Sequence, residues 1–128
     1  MSTLKVNNIQ TSSGGSNSTP EQLANGRAKM WVNFDQTNHS IRDSFNVSSL
    51  TDQGAGFTDI NYTTNMSNAN YCGVMYTNAR NTAIAINNYG NDFTGGMVLS
   101  TNKFAMSSFN GSSFQDGKIV CVVAFGDQ

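Results

Sequence analysis

Charged side chains make up only 12% of these 128 residues, seven basic against eight acidic, for a net charge of -1. With no basic patch or stripe, the chain lacks the electrostatic footprint that nucleic-acid binding requires, so no DNA or RNA partner is expected. Histidine is nearly absent as well. His39 is the single one, so a metal site of the multi-histidine type has no second ligand, and its neighbours Thr37, Asn38 and Ser40 suit a solvated loop better than a catalytic base. No apolar run approaches a membrane span, and Met1-Ser2-Thr3-Leu4-Lys5 lacks the apolar stretch of a signal peptide. Assembly in the cytoplasm, without membrane insertion, is therefore expected. Only two cysteines occur. Cys72 and Cys121 show no CxxC or Cys/His spacing and fall in apolar strand-like runs, which suits buried free thiols, with a disulfide as the alternative. Proline occurs once, at Pro20, so every strand candidate keeps its ladder N–H groups.

Core-forming residues are also scarce: Leu, Ile, Val and Phe together are about a fifth of the chain, close to the level at which disorder sets in when charge is high. Here charge is low, so self-repulsion does not hold the chain open. Asn, Ser, Thr and Gly fill nearly half of it and favour turns and hydrogen-bonded polar surfaces over long helices. The length suits one domain, and so modest a core in so neutral a chain points to an oligomer that completes its burial between copies.

The opening block is the most organised stretch. Leu4, Val6 and Ile9 mark a short extended anchor, and Thr11 to Ser18, with adjacent Gly14 and Gly15, reads as a flexible linker, so residues 1–18 form a tether. Residues 19–128 form the head. Thr19, Pro20 and Gln22 have capping-box spacing, and Asn25-Gly26 supplies a left-handed stop, predicting a helix over 20–25 too short to stand without packing on something. Beyond it the pattern is that of strands. Ala28, Met30, Val32 and Phe34 alternate with Lys29, Trp31, Asn33 and Asp35, which leaves Trp31 on the polar face, either packed within the subunit or at a subunit interface. Phe45 and Val47 open the next strand, and Asp52 to Gly56 turns it into Phe57 to Thr63 as a hairpin. Further strands are predicted over 71–77, 82–87, 97–108 and 118–125, the spacing of an antiparallel β-sandwich or jelly roll. The last, Ile119 to Phe125, is apolar on both faces and must be central or covered by another subunit.

Catalytic signals are weak. Asp35, Asp43, Asp52, Asp59 and Asp92 supply carboxylates, but Asp52 and Asp59 flank a turn where surface polarity accounts for them, and Gly14-Gly15 and Gly95-Gly96 lack the context of a phosphate-binding loop. The chain reads as a protein without enzymatic activity or cofactor. The loops 87–96 and 109–117 are more suggestive. Each mixes aromatic rings with amides and carboxylates (Tyr89, Asp92 and Phe93 in the first, Asn110, Phe114 and Asp116 in the second), a composition that suits a surface glycan or protein receptor. The alternative is that Tyr89, Phe93 and Phe114 fold back to plug the ends of the sandwich.

The strings Ser2 to Gln10, Ser18-Thr19-Pro20-Glu21-Gln22-Leu23, Gly26 to Asp35 and Ile41 to Ser49 resemble the small tail-fibre proteins of marine and cyanobacterial tailed bacteriophages. The likeness covers the first two-fifths of the chain closely and Leu50 to Thr63 more loosely. It departs at Gln36-Thr37-Asn38-His39, where a Gly-rich turn is the family pattern, and at the turn Asp52 to Phe57. The resemblance implies a structural virion protein in which Leu4, Val6 and Ile9 contact other tail proteins. It further implies a homotrimer, with Leu23, Met30 and Trp31 at the subunit interface, whose head meets a host receptor. A capsid decoration or baseplate component is the alternative role.

Overall fold

The computed structural model describes residues 2–15, 17–78 and 100–128, together with the backbone of 84–86. The expected short helix is present. In α1 (Pro20–Gly26) the Thr19 side chain accepts from the Gln22 N–H at 3.1 Å, and the Gln22 side chain accepts from the Thr19 N–H at 2.9 Å, a complete capping box. Its C-terminal end differs from expectation. Gly26 is the last helical residue and Arg27 caps in an extended conformation, so no left-handed glycine stops the helix. No residue of α1 is buried, so the packing partner expected for it is not within the chain's own core.

The remaining elements are strands: β1 (Met30–Asp35), β2 (Ser40–Phe45), β3 (Val47–Gly54), β4 (Phe57–Tyr62), β5 (Cys72–Thr77), β6 (Ile84–Ile86), β7 (Lys103–Phe109) and β8 (Val120–Phe125). They form two four-stranded antiparallel sheets, β2-β1-β8-β5 and β3-β4-β7-β6. The protein is therefore all-β, and the two sheets share one core, as the sandwich expectation requires. Met30, Val32, Phe34, Val120, Val122 and Ala124 from the first sheet meet Ile60, Tyr62, Phe104 and Met106 from the second. These are the alternate residues of each strand, the inward set that period two selects. Met30 belongs to this set and is fully enclosed by its own chain. It presents no surface to a neighbour, which corrects its assignment to a subunit interface.

β2 carries no sequence signal. Most of its residues are exposed, so no apolar period marks it, and the strand exists because it pairs with the edge of β1. The turn between them is built from two local hydrogen-bonding side chains. Asp35 Oδ1 accepts from the Thr37 N–H at 3.0 Å and its hydroxyl at 2.6 Å, and Asn38 Oδ1 accepts from the Ser40 N–H at 3.2 Å and its hydroxyl at 2.7 Å. The chain then changes sheets at Asn46, which sits at φ 59. Its amide donates to the Lys29 and Thr64 carbonyls and accepts from the Thr64 N–H at 2.7 Å, so one short side chain fastens the corner.

The N-terminal spacer is not open chain. Ile9 and Ser18 exchange backbone hydrogen bonds at 2.8 and 2.9 Å, and within the loop they close the Gly14 N–H donates to the Thr11 carbonyl with Gly14 at φ 78. Among the described residues, no helix is long and apolar enough to cross a membrane.

Candidate functional site

Three turns distant in sequence meet at one end of the sheets: residues 36–39 between β1 and β2, Gly54 to Gly56 between β3 and β4, and 110–119 between β7 and β8. The polar side chain that joins them is Gln36, fully buried. Its Oε1 accepts from the Ser108 hydroxyl at 2.8 Å and the Gly117 N–H at 3.1 Å, and its Nε2 donates to Thr58 Oγ1 at 3.2 Å. Thr58 and Ser108 are themselves fully buried. The Gly56 N–H donates to Asp116 Oδ1 at 2.7 Å and the Gly56 carbonyl accepts from the Ser108 N–H at 2.7 Å, which seats one turn against the other loop. Sequence reasoning missed Gln36, Thr58 and Ser108. The available signal was the alternation of β1, which carried past Phe34 puts Gln36 on the inward side.

Of the loop residues expected to meet a receptor, three lie at this end, and their side chains are largely engaged. Asn110 accepts from the Ser112 and Ser113 N–H groups at 3.0 and 2.9 Å and donates to Gln115 Oε1 at 2.7 Å, so it shapes its own turn. Asp116 holds Gly56. Phe114 folds back onto Phe57, with ring centroids 4.4 Å apart, and onto Phe109 at 5.3 Å, the plugging alternative. Exposed residues at this end include Thr37, Asn38, Asp52, Gln53, Gly54, Ala55, Gly111, Ser112, Ser113, Lys118 and Ile119. Tyr89, Asp92 and Phe93 lie outside the described residues.

His39 is not the solvated loop residue expected. Its side chain is only 21% exposed, and its Nε2 stands 3.3 Å from Thr58 Oγ1 and 3.7 Å from Asp52 Oδ1. Both contacts fall on one ring nitrogen. An acid/base relay of the serine-hydrolase kind places carboxylate and hydroxyl on opposite nitrogens, so this trio orients a turn and lacks that geometry. Asp59 corrects the surface reading in another way. It is 3% exposed, and its Oδ2 accepts from Lys103 Nζ at 2.8 Å and Gln53 Nε2 at 2.9 Å. Asp52 pairs in register with inward-facing Thr58, whereas Asp59 is on the alternate, outward side of β4, so the two carboxylates do not flank a common cleft.

Asp35 on β1 is the described carboxylate whose protonation is most clearly displaced. The Thr37 hydroxyl chiefly holds it below its usual value of 3.8, with help from the Thr37 N–H and the charges of Arg42 and Lys118, against partial desolvation. A depressed carboxylate stabilises the folded state above its unfolded value and loses that contribution as pH falls through its folded value. Asp35→Asn should therefore lower the unfolding midpoint at pH 7. Its deficit against the natural chain should shrink as the pH drops below 3.8, read by thermal unfolding at a series of pH values.

The remaining expected site residues lie elsewhere. Leu4, Val6 and Ile9 are exposed on the N-terminal segment, Leu23 is exposed on α1, and Trp31 is exposed on the outer face of the first sheet. The two cysteines are free, and their burial was misjudged: Cys72 is exposed and Cys121 half-buried, both on that same outer face. Cys72 pairs with Phe125 and Cys121 with Tyr76, a four-residue offset of about 13 Å along the strands. That is beyond disulfide reach. Comparison with protein-family models, curated proteins and solved structures returns no match to this chain.

Proposed function

We propose that this chain is a structural module of a tailed-bacteriophage virion, a small tail-fibre protein of the cyanophage type that is tethered by its N-terminal segment and presents its head for host-cell adsorption. The observation that carries the reading is the end where three turns meet. Its polar side chains are locked inward by Gln36, Asn110 and Asp116, while its exposed residues offer hydroxyls and amides together with the opposite charges of Asp52 and Lys118, a pre-formed surface suited to a glycan or a polar protein patch. The exposed Leu4, Val6 and Ile9 stand apart from the core, as a docking segment for other tail proteins must. The head fits a jelly-roll-like sandwich, since β8 lies between β1 and β5 while β7 lies between β4 and β6. Three copies would let weak contacts at this end add through high effective concentration.

The test uses fluorescently labelled protein incubated with a panel of marine cyanobacteria. Surface labelling that unlabelled protein competes away is expected for at least one strain, and Ser112→Arg/Ser113→Arg at the loop tip should reduce it at least tenfold without changing thermal unfolding. Removal of residues 2–18 should leave cell labelling intact and abolish uptake into particles. If no strain is labelled and the protein instead coats fibre-less particles, the chain is a decoration or baseplate component.

A further inference from the structure

The outer face of the first sheet is apolar where solvent would meet it. Phe45 of β2, Trp31 of β1, Val123 of β8 and Val74 of β5 are direct cross-strand partners, so they form one continuous row across all four strands. Phe45 is 50% exposed, Trp31 37% and Val74 58%. Tyr76 and Phe125, in the flanking rows, are 56% and 36% exposed. At the exposed fractions of these side chains, and 150–250 Å² for a whole aromatic one, the patch presents about 400 Å² of apolar surface. A standard interface buries about 800 Å² per partner around such an apolar centre, so the patch is the size of the middle of a stable protein contact.

We infer that a second copy of this chain covers this face, with the strands of both copies running along the oligomer axis. Two features select a copy of the same chain over a partner of other chemistry. The row itself carries no charge, so the rows of two copies meet without like-charge repulsion. The row is also graded: its bulky residues, Phe45 and Trp31, lie on the β2 and β1 half, and its small ones, Val123 and Val74, on the β8 and β5 half. Turning one copy about an axis parallel to the strands sets the bulky half of one against the small half of the next, which is self-complementary packing. A closed ring of copies repeats the same contact. The inference rests on the oligomeric reading above and names the surface that reading left open, with Trp31 retained, Met30 excluded and β8 apolar outward because it is covered there.

The native cysteines make the test direct, because Cys72 sits on this face. The natural chain is expected to be oligomeric by native mass measurement at micromolar concentration, with Cys72 labelled by maleimide at least tenfold more slowly than in Val74→Lys. Val74→Lys changes an exposed edge-strand residue, so it should be monomeric with an unchanged far-ultraviolet circular dichroism spectrum. A second variant, Phe45→Cys/Val74→Cys with Cys72→Ser and Cys121→Ser, keeps the inference testable if the lysine variant fails to fold. Its two thiols lie three strand spacings apart in one chain, about 14 Å, and can oxidise only between copies. Covalently linked copies are expected. An oligomer whose mass and Cys72 labelling Val74→Lys leaves unchanged would overturn the assignment of this face while sparing the oligomer, as would the absence of cross-linked copies. A monomeric natural chain would overturn both. Cell labelling in the previous experiment reads the loop end and is independent of either.

Discussion

Replacing Gly56 by alanine is expected to destabilise the protein by about 3–4 kcal/mol, combining the cost of a left-handed non-glycine residue with that of overpacking against atoms that cannot yield. Gly56 sits at φ 79, and a Cβ there would lie 2.6 Å from the Ser108 carbonyl oxygen, 2.7 Å from the Gln115 nitrogen and 2.9 Å from Phe114 Cβ. Two of these are backbone atoms hydrogen-bonded to each other at 3.1 Å, closing the β7–β8 loop against which the β3–β4 turn is seated, so the clash opens the junction. Gly54 is the control. It too has positive φ, 114, but an added Cβ meets nothing within 4 Å, so Gly54→Ala reports backbone strain alone. The difference between the two variants in chemical denaturation, about 2 kcal/mol, isolates the close approach. Equal losses would mean that the turn is not seated against the loop.

Gln36→Leu is expected to cost about 3 kcal/mol and, in a chain of this length, to lower the thermal midpoint by roughly 10 °C, although leucine is close in volume and apolar. The reason is the asymmetry of buried hydrogen bonding. Thr58 retains His39 Nε2 at 3.3 Å, and Ser108 retains the Gln115 carbonyl at 2.5 Å, but the buried Gly117 N–H loses the acceptor it has at 3.1 Å. Leaving that donor without water or partner carries its full desolvation cost. Amide hydrogen exchange localises the effect. The Gly117 amide should exchange much faster in the variant, while amides in the centre of β8 slow or quicken only with global stability. Unchanged protection at Gly117 would show that another group satisfies it.

Both predictions fall at the end of the molecule that the sequence made least legible. The strands could be read from different local signals: β1 lies within the segment its alternation marks, β4 follows the turn that opens its hairpin, and β8 lies within a continuous apolar run. β2 was not readable, because an edge strand exposed along most of its length needs no apolar residues. The helix start was written locally in Thr19, Pro20 and Gln22, whereas its end at Arg27 was not, since an extended cap leaves no glycine signature. Of the loop residues, Asn110 and Asp116 were recognised as polar groups on a turn. Their engagement with Gln115 and Gly56 depends on which loops the sheets bring together.

The division follows from range. Properties that act over a few residues, such as the sparse charge, the capping box, the turn-forming Asn, Ser, Thr and Gly, and the alternation that makes the chain all-β, were determined by the sequence alone. Tertiary structure decided whatever depends on stacking two sheets: that Met30 faces inward while its neighbour Trp31 faces out, that Gln36 is a buried fastener, and that Asp59 is enclosed. It also decided that Phe45, Trp31, Val123 and Val74, spread over 93 positions of chain, form one row. Strand pairing converts separations along the chain into contacts of a few ångströms, and only the pairing chooses which residues those are.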